Sequence, residues 1–176
     1  MRACVVCAAV AIAAAAACSS RDARAAGDTV STSLRESDCH APPREIAASY
    51  EQRDLGVQQC PAPPGWQLLL VSSDANTWVD IRGANLAWSG ERPIVYEMPI
   101  GNFPSVDTAT SVEWRRDGTG MLTSVIVRVT AQDRESLTTQ QSRLFVARVT
   151  PTTICVIGRA ATAAEARALA DGTRGC

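Results

Sequence analysis

Four charged residues on neighbouring β-like segments, Glu113, Arg115, Arg128 and Arg148, are of types that recognise ligands. Planar guanidinium forks match carboxylates and phosphates, so a sheet face carrying them could hold an acidic or planar ligand. The same four residues also suit the more ordinary role of a solvated face with cross-strand ion pairs, each worth under about 1 kcal/mol. Tryptophan is the second resource. Trp66, Trp78, Trp88 and Trp114 stand out in a chain with two Phe and two Tyr. Trp66 and Trp114 read as core. Trp78 falls on the polar side of its strand and Trp88 in a loop before Ser89-Gly90, so these two are the candidates for contact with a sugar or a protein.

Catalytic sets are thin. Asp80 and Glu97 are carboxylates of the kind that could act as a glycosidase pair, but nothing in the sequence fixes their separation. Asp133 and Glu135 lack the spacing of a calcium loop. His40 is the single histidine, beside Cys39 and before Ala41-Pro42-Pro43, and it reads as an ordinary loop residue. A multi-histidine metal site is excluded. All basic residues are arginine, which removes Schiff-base and P-loop chemistry. No cofactor, metal or catalytic residue is assigned.

These residues must be positioned by strands. Val30–Leu34 and Gln67–Val71 are short extended runs. Thr77–Arg82 alternates Thr77, Val79 and Ile81 against Trp78, Asp80 and Arg82. Ile94–Met98 reads as a strand and Pro99–Asp107 as a loop. Ser111–Arg116, the turn Asp117-Gly118-Thr119-Gly120 and Met121–Thr130 form a β-hairpin. Gln132–Gln141 is read as a loop, followed by strands Leu144–Val149 and Thr153–Ile157 in an antiparallel meander. Thr162-Ala163-Ala164-Glu165 has capping-box spacing and opens a helix with an apolar stripe at Ala166, Leu169 and Ala170. Gly172 stops it.

The cysteines fix compartment and staples. Cys4, Cys7 and Cys18 fall in an alanine-rich N-terminal run too short to cross a membrane. It reads as a signal peptide over 1–25, and Cys4-Val5-Val6-Cys7 as chance cysteines within it. A second reading makes Cys18 the acylated residue of a lipoprotein. Both leave Cys39, Cys60, Cys155 and Cys176, which points to two disulfides in an oxidising compartment. Four cysteines allow three connectivities. The local one, Cys39–Cys60 with Cys155–Cys176, is expected. A helix of about nine residues rises roughly 14 Å, and an extended tail can bring Cys176 back beside Cys155.

Cleavage after Ala25 leaves 151 of the 176 residues, the size of one domain. It removes three of the 17 basic and one of the 18 acidic residues, for a net charge of −3. With no basic stripe, nucleic-acid binding is not expected, and the membrane enters only through an acylated Cys18.

Ser31-Thr32-Ser33-Leu34 before Cys39, Cys60-Pro61, Val112-Glu113-Trp114-Arg115, and the block from Cys155 through Ala168-Leu169-Ala170-Asp171 to Cys176 resemble a family of small uncharacterised exported proteins of alphaproteobacteria. The resemblance implies export, two disulfides and a β-rich fold. It implies no activity.

The expected architecture is α+β and β-rich. A Pro-rich segment, 26–64, is stapled by one disulfide, and 65–176 forms an antiparallel sheet of about six strands with a C-terminal helix. The expected function is a non-enzymatic periplasmic or secreted module that binds an envelope protein or a cell-wall component. A carboxylate-based periplasmic hydrolase and a lipid-anchored structural lipoprotein are the alternatives.

Overall fold

The structure, a computed structural model, describes residues 28–83, 85–136 and 138–176. The expected leader, with Cys4, Cys7 and Cys18, lies outside the described residues.

Ten strands make one sheet: β1 (Thr29–Ser33), β2 (Gly56–Cys60), β3 (Gln67–Ser72), β4 (Thr77–Gly83), β5 (Leu86–Ser89), β6 (Asn102–Val106), β7 (Ser111–Arg116), β8 (Leu122–Gln132), β9 (Gln140–Val149) and β10 (Ile154–Ala160). Among the described residues two α-helices, α1 (Arg44–Glu51) and α2 (Ala163–Asp171), and a 3-10 turn, Glu36–Asp38, accompany it. The expected meander is present as β7-β8-β9-β10, each pair antiparallel. Its turn is held by Asp117, whose carboxylate accepts from the Thr119 and Met121 amides. A second antiparallel set, β2-β3-β4-β5, is built from the N-terminal half. Strand β6 joins the two sets. It is antiparallel to the distal half of β8 and meets β4 in parallel at Thr77↔Ser105. Strand β10 returns alongside β5, so the sheet rolls around its core.

An antiparallel sheet of about six strands therefore needs correction: the sheet is mixed and has ten strands. Ile94–Met98 is not a strand. It belongs to a π-helical turn, Arg92–Glu97, in which the Met98 amide reaches back to the Pro93 carbonyl. Pro93 sits in the first turn, where its missing N–H costs nothing, and Ile94 is driven fully into the core. The expected loop after it contains β6. The loop 132–141 shrinks because β8 runs to Gln132 and β9 starts at Gln140.

The Pro-rich segment is more ordered than its composition suggests. Pro42 and Pro43 precede α1, so they do not interrupt it, and Ile46 and Tyr50, four residues apart, are its buried face. The Cys39–Cys60 disulfide ties this segment to β2, with reciprocal backbone bonds between His40 and Gln59 beside it.

Both faces of the central strands are covered. Val125, Val127 and Val129 of β8 enter the main core with Phe145 and Ala147 of β9. On the other face Ile126, Leu144, Val146 and Ile157 pack under Ala166 and Ala170 of α2. Helix α2 opens on a complete capping box between Thr162 and Glu165. It lies close enough that a Cβ on Gly158 would stand 2.8 Å from Leu169 Cδ2. Cys155–Cys176 closes the tail as expected.

Candidate functional site

Three of the four charged sheet residues are brought together, and they hold α2. Arg115 is buried and donates to Glu113 Oε1 at 2.9 Å and to Asp171 Oδ1 at 2.7 Å. Arg167 of α2 reaches the other Glu113 oxygen at 2.9 Å. Burial opposes ionisation of Glu113, but hydrogen bonds from Arg167 and Arg115, with their charges, outweigh it and hold the carboxyl below its ordinary range. Arg148 donates to the carbonyls of Ala170 at 2.8 Å, Gly172 at 2.7 Å and Arg174 at 3.1 Å. The first two are carbonyls that α2 leaves open at its C-terminus, and the third belongs to the tail beyond it. Arg128 stands apart. It donates to Ser142 Oγ at 2.9 Å and lines a small cavity of about 150 Å³ with Glu113, Ile126 and Leu144 under the start of α2.

Two tryptophans are buried, and Trp66 and Trp88 are half-buried. Trp78, expected to be available for contact, is 2% exposed, because both faces of β4 are covered. Trp88 is half-buried on β5, opposite Ile81, and packs against the core instead of occupying a loop. Trp114 is buried and donates to Thr32 Oγ1 at 2.8 Å. The exposed aromatics are Tyr96 at 68% and Phe103 at 58%. Tyr96 lies in the π-helical turn between β5 and β6, and Phe103 is the second residue of β6. Phe103 also has φ of +52°, a left-handed backbone that is a true outlier for a bulky side chain.

Asp80 and Glu97 sit in different settings. Glu97 pairs with Arg92 at 2.6 Å on the surface. Asp80 is buried and accepts from the Tyr50 hydroxyl at 2.7 Å and the Gly90 amide at 3.2 Å. Burial pushes its carboxyl above the ordinary value, partly offset by bonds from Ser89, Tyr50 and Gly90. Tyr50 is pushed up to about 12, by burial first and then by its bond to Asp80. Arg82 lies 5.8 Å from the Tyr50 ring centroid. This cluster ties α1 to β4. Among the described residues no group of three or more His, Cys, Asp or Glu could hold a metal ion, and no helix is long and apolar enough to cross a membrane.

A larger cavity, about 370 Å³, opens at the end of the main sheet beside the β5–β6 segment. Its lining includes Pro99, Ile100, Gln141, Arg143 and Arg159. Arg143 follows the alternation of Phe145 and Ala147, so it projects from the inward face of β9 where that face runs out to solvent. Arg159 stands opposite Phe145 and therefore shares that face. It does so only because a bulge between Val156 and Gly158 shifts the phase of β10. Gly101 presses against the Gln132 carbonyl, where any Cβ would collide, and this seats the start of β6. Residue by residue this site escapes a sequence reading. Its one legible sign is an arginine in phase with core residues.

No protein-family model, no curated protein and no solved structure matches the chain.

Proposed function

We propose that the protein is a non-enzymatic binding module of the cell envelope, exported and disulfide-stapled, whose contact surface is the β5–β6 segment. One observation carries this reading. Trp78 and Trp114 are buried and Trp66 and Trp88 half-buried, whereas Tyr96, in the π-helical turn, and Phe103, at the start of β6, are exposed, Phe103 with a left-handed backbone. A strained backbone costs of order 1–3 kcal/mol and persists where surroundings over-determine it, commonly at ligand contacts. A π-helical turn immediately before it is a second irregularity of the kind found at functional sites. The partner is an envelope protein or a cell-wall component.

The carboxylate hydrolase has less support. Asp80 is buried beneath Tyr50, Glu97 is paired with Arg92 on the surface, and Glu113, though it borders the smaller cavity, is locked between two arginines. The lipid-anchored form turns on Cys18, which an intact mass of the native protein would decide.

The test uses Phe103→Gly with Tyr96→Ser. Glycine relieves the positive φ, so lost binding would not reflect lost stability. Photocrosslinkers at 96 and 103, applied in isolated envelopes, should yield one discrete adduct that the double variant fails to form in competition. Equal retention of wild type and double variant on envelopes would overturn the reading.

A further inference from the structure

We infer that the cavity bearing Arg143 and Arg159 is a binding site for a ligand oxyanion, a carboxylate or phosphate. This rests on the binding-module reading and names the chemistry its ligand would present.

The lining is cationic without compensation. No acidic side chain borders the cavity. Among the described residues neither arginine meets a carboxylate at ion-pair distance. Arg53, Arg92, Arg115 and Arg167 are paired to acids; what sets Arg143 and Arg159 apart from the other arginines without an ion pair is that both border one cavity. Two uncompensated positive charges in a concave site concentrate the field there.

The arginines are also aimed. A guanidinium has five N–H donors. Arg143 spends one on the Ser142 carbonyl at 2.8 Å, and Arg159 one on the Met98 carbonyl at 3.0 Å. Those bonds restrain each side chain while leaving most donors for a ligand. Arg159 stands opposite Phe145, and Arg143 is two residues further along the same face. That is the diagonal relation, roughly 7–8 Å between backbones, within which two forks can meet one oxyanion. Gln141, two residues beyond Arg143 on the same face, adds a neutral amide at the mouth.

The remaining walls add little apolar surface. Ile100 is packed in the main core and Ala160 lies on the opposite sheet face beneath α2, so polar groups dominate the cavity. Recognition therefore falls on the oxyanion itself, such as the carboxylate end of a peptide. A phosphate monoester offers the same charge, and the two sources separate by experiment.

The probes are N-acetyl-dialanine, its C-terminal amide, and inorganic phosphate, titrated into the intact disulfide-bonded protein with amide NMR as readout. The carboxylate peptide or phosphate should shift the amides of Arg143, Arg159, Ala160 and Ala161, and the amide-capped peptide should not. A stronger response to the peptide assigns a carboxylate source, and a stronger response to phosphate a phosphate source. Arg143→Gln should weaken binding at least tenfold. Arg143→Gln with Arg159→Gln should abolish it while the spectrum stays dispersed. Arg143→Lys, which keeps the charge and loses the fork, should retain part of it. No shift with either anion at millimolar concentration, or shifts unchanged in the double glutamine variant, would overturn the inference. If envelope crosslinking through residues 96 and 103 persists in that event, the binding-module reading stands without its anion. If crosslinking fails as well, both fall.

Discussion

The Tyr50 hydroxyl donates to Asp80 Oδ2 across 2.7 Å, joining α1 of the stapled N-terminal segment to a buried carboxylate at the middle of β4. Tyr50→Phe removes that donor and leaves a buried carboxylate under-satisfied. A loss of roughly 1–3 kcal/mol at pH 7 is expected from denaturant unfolding. Asp80 titrates above its ordinary 3.8 in the folded state because burial disfavours its charge. The folded protein therefore binds more protons than the unfolded chain between 3.8 and the raised value, and this group's contribution to stability falls as pH rises through that window. The Tyr50→Phe penalty should shrink when unfolding is repeated below the window, where Asp80 is protonated. An equal penalty at both pH values would contradict the assignment.

Glu113 has the opposite sign. Its folded carboxyl titrates below the ordinary 4.5, so its contribution is present above 4.5 and is lost as pH falls through the lowered value. Glu113→Gln should cost roughly 1–3 kcal/mol at neutral pH and should flatten the acid limb of the stability profile. A wild-type acid limb in the variant would show that other carboxylates carry it.

Arg148→Met keeps much of the stem's volume but removes the donors to Ala170, Gly172 and Arg174. Hydrogen exchange should speed selectively at the end of α2 and in the following tail, with a loss of roughly 2–3 kcal/mol. Uniform exchange across the sheet would mean that the arginine acts elsewhere.

Cys155→Ser with Cys176→Ser opens a link between residues 21 apart. The chain-entropy model gives a loss of about 3 kcal/mol. Combined with Thr162→Ala, which removes the capping box for roughly another 1 kcal/mol, it should release α2 while the β7–β10 meander stays protected. Loss of the whole sheet at once would show that α2 is integral to its cooperativity.

The meander, α2 and both staples were legible because each has a local signature: alternation, a capping box, and cysteines near enough to pair. What stayed hidden depends on partners distant in sequence. The run Ile94–Met98 has strand composition but no neighbouring strand to bond, so its backbone closes on itself. Trp78 looked exposed because its alternation partners are Asp80 and Arg82, yet Asp80 itself is covered. The glutamate and arginines of the sheet face gave no sign that α2 would land on them. Arg143 fell outside the expected strand Leu144–Val149 and was not singled out, because β9 begins earlier, at Gln140. Nor was Arg159, since the bulge that turns it inward leaves no mark at residues 155–160.

The two cross-links follow each other along the chain without interleaving: 39 to 60, then 155 to 176. With the leader cysteines removed, a catalyst that joins cysteines in order of their appearance would make the native pairs directly. Closing the first ring before Cys155 and Cys176 emerge would leave no wrong bond to undo. Expression in an oxidising compartment lacking its disulfide isomerase should give native pairing at an undiminished yield. Biogenesis of this molecule would then be limited by the supply of oxidant and independent of proofreading.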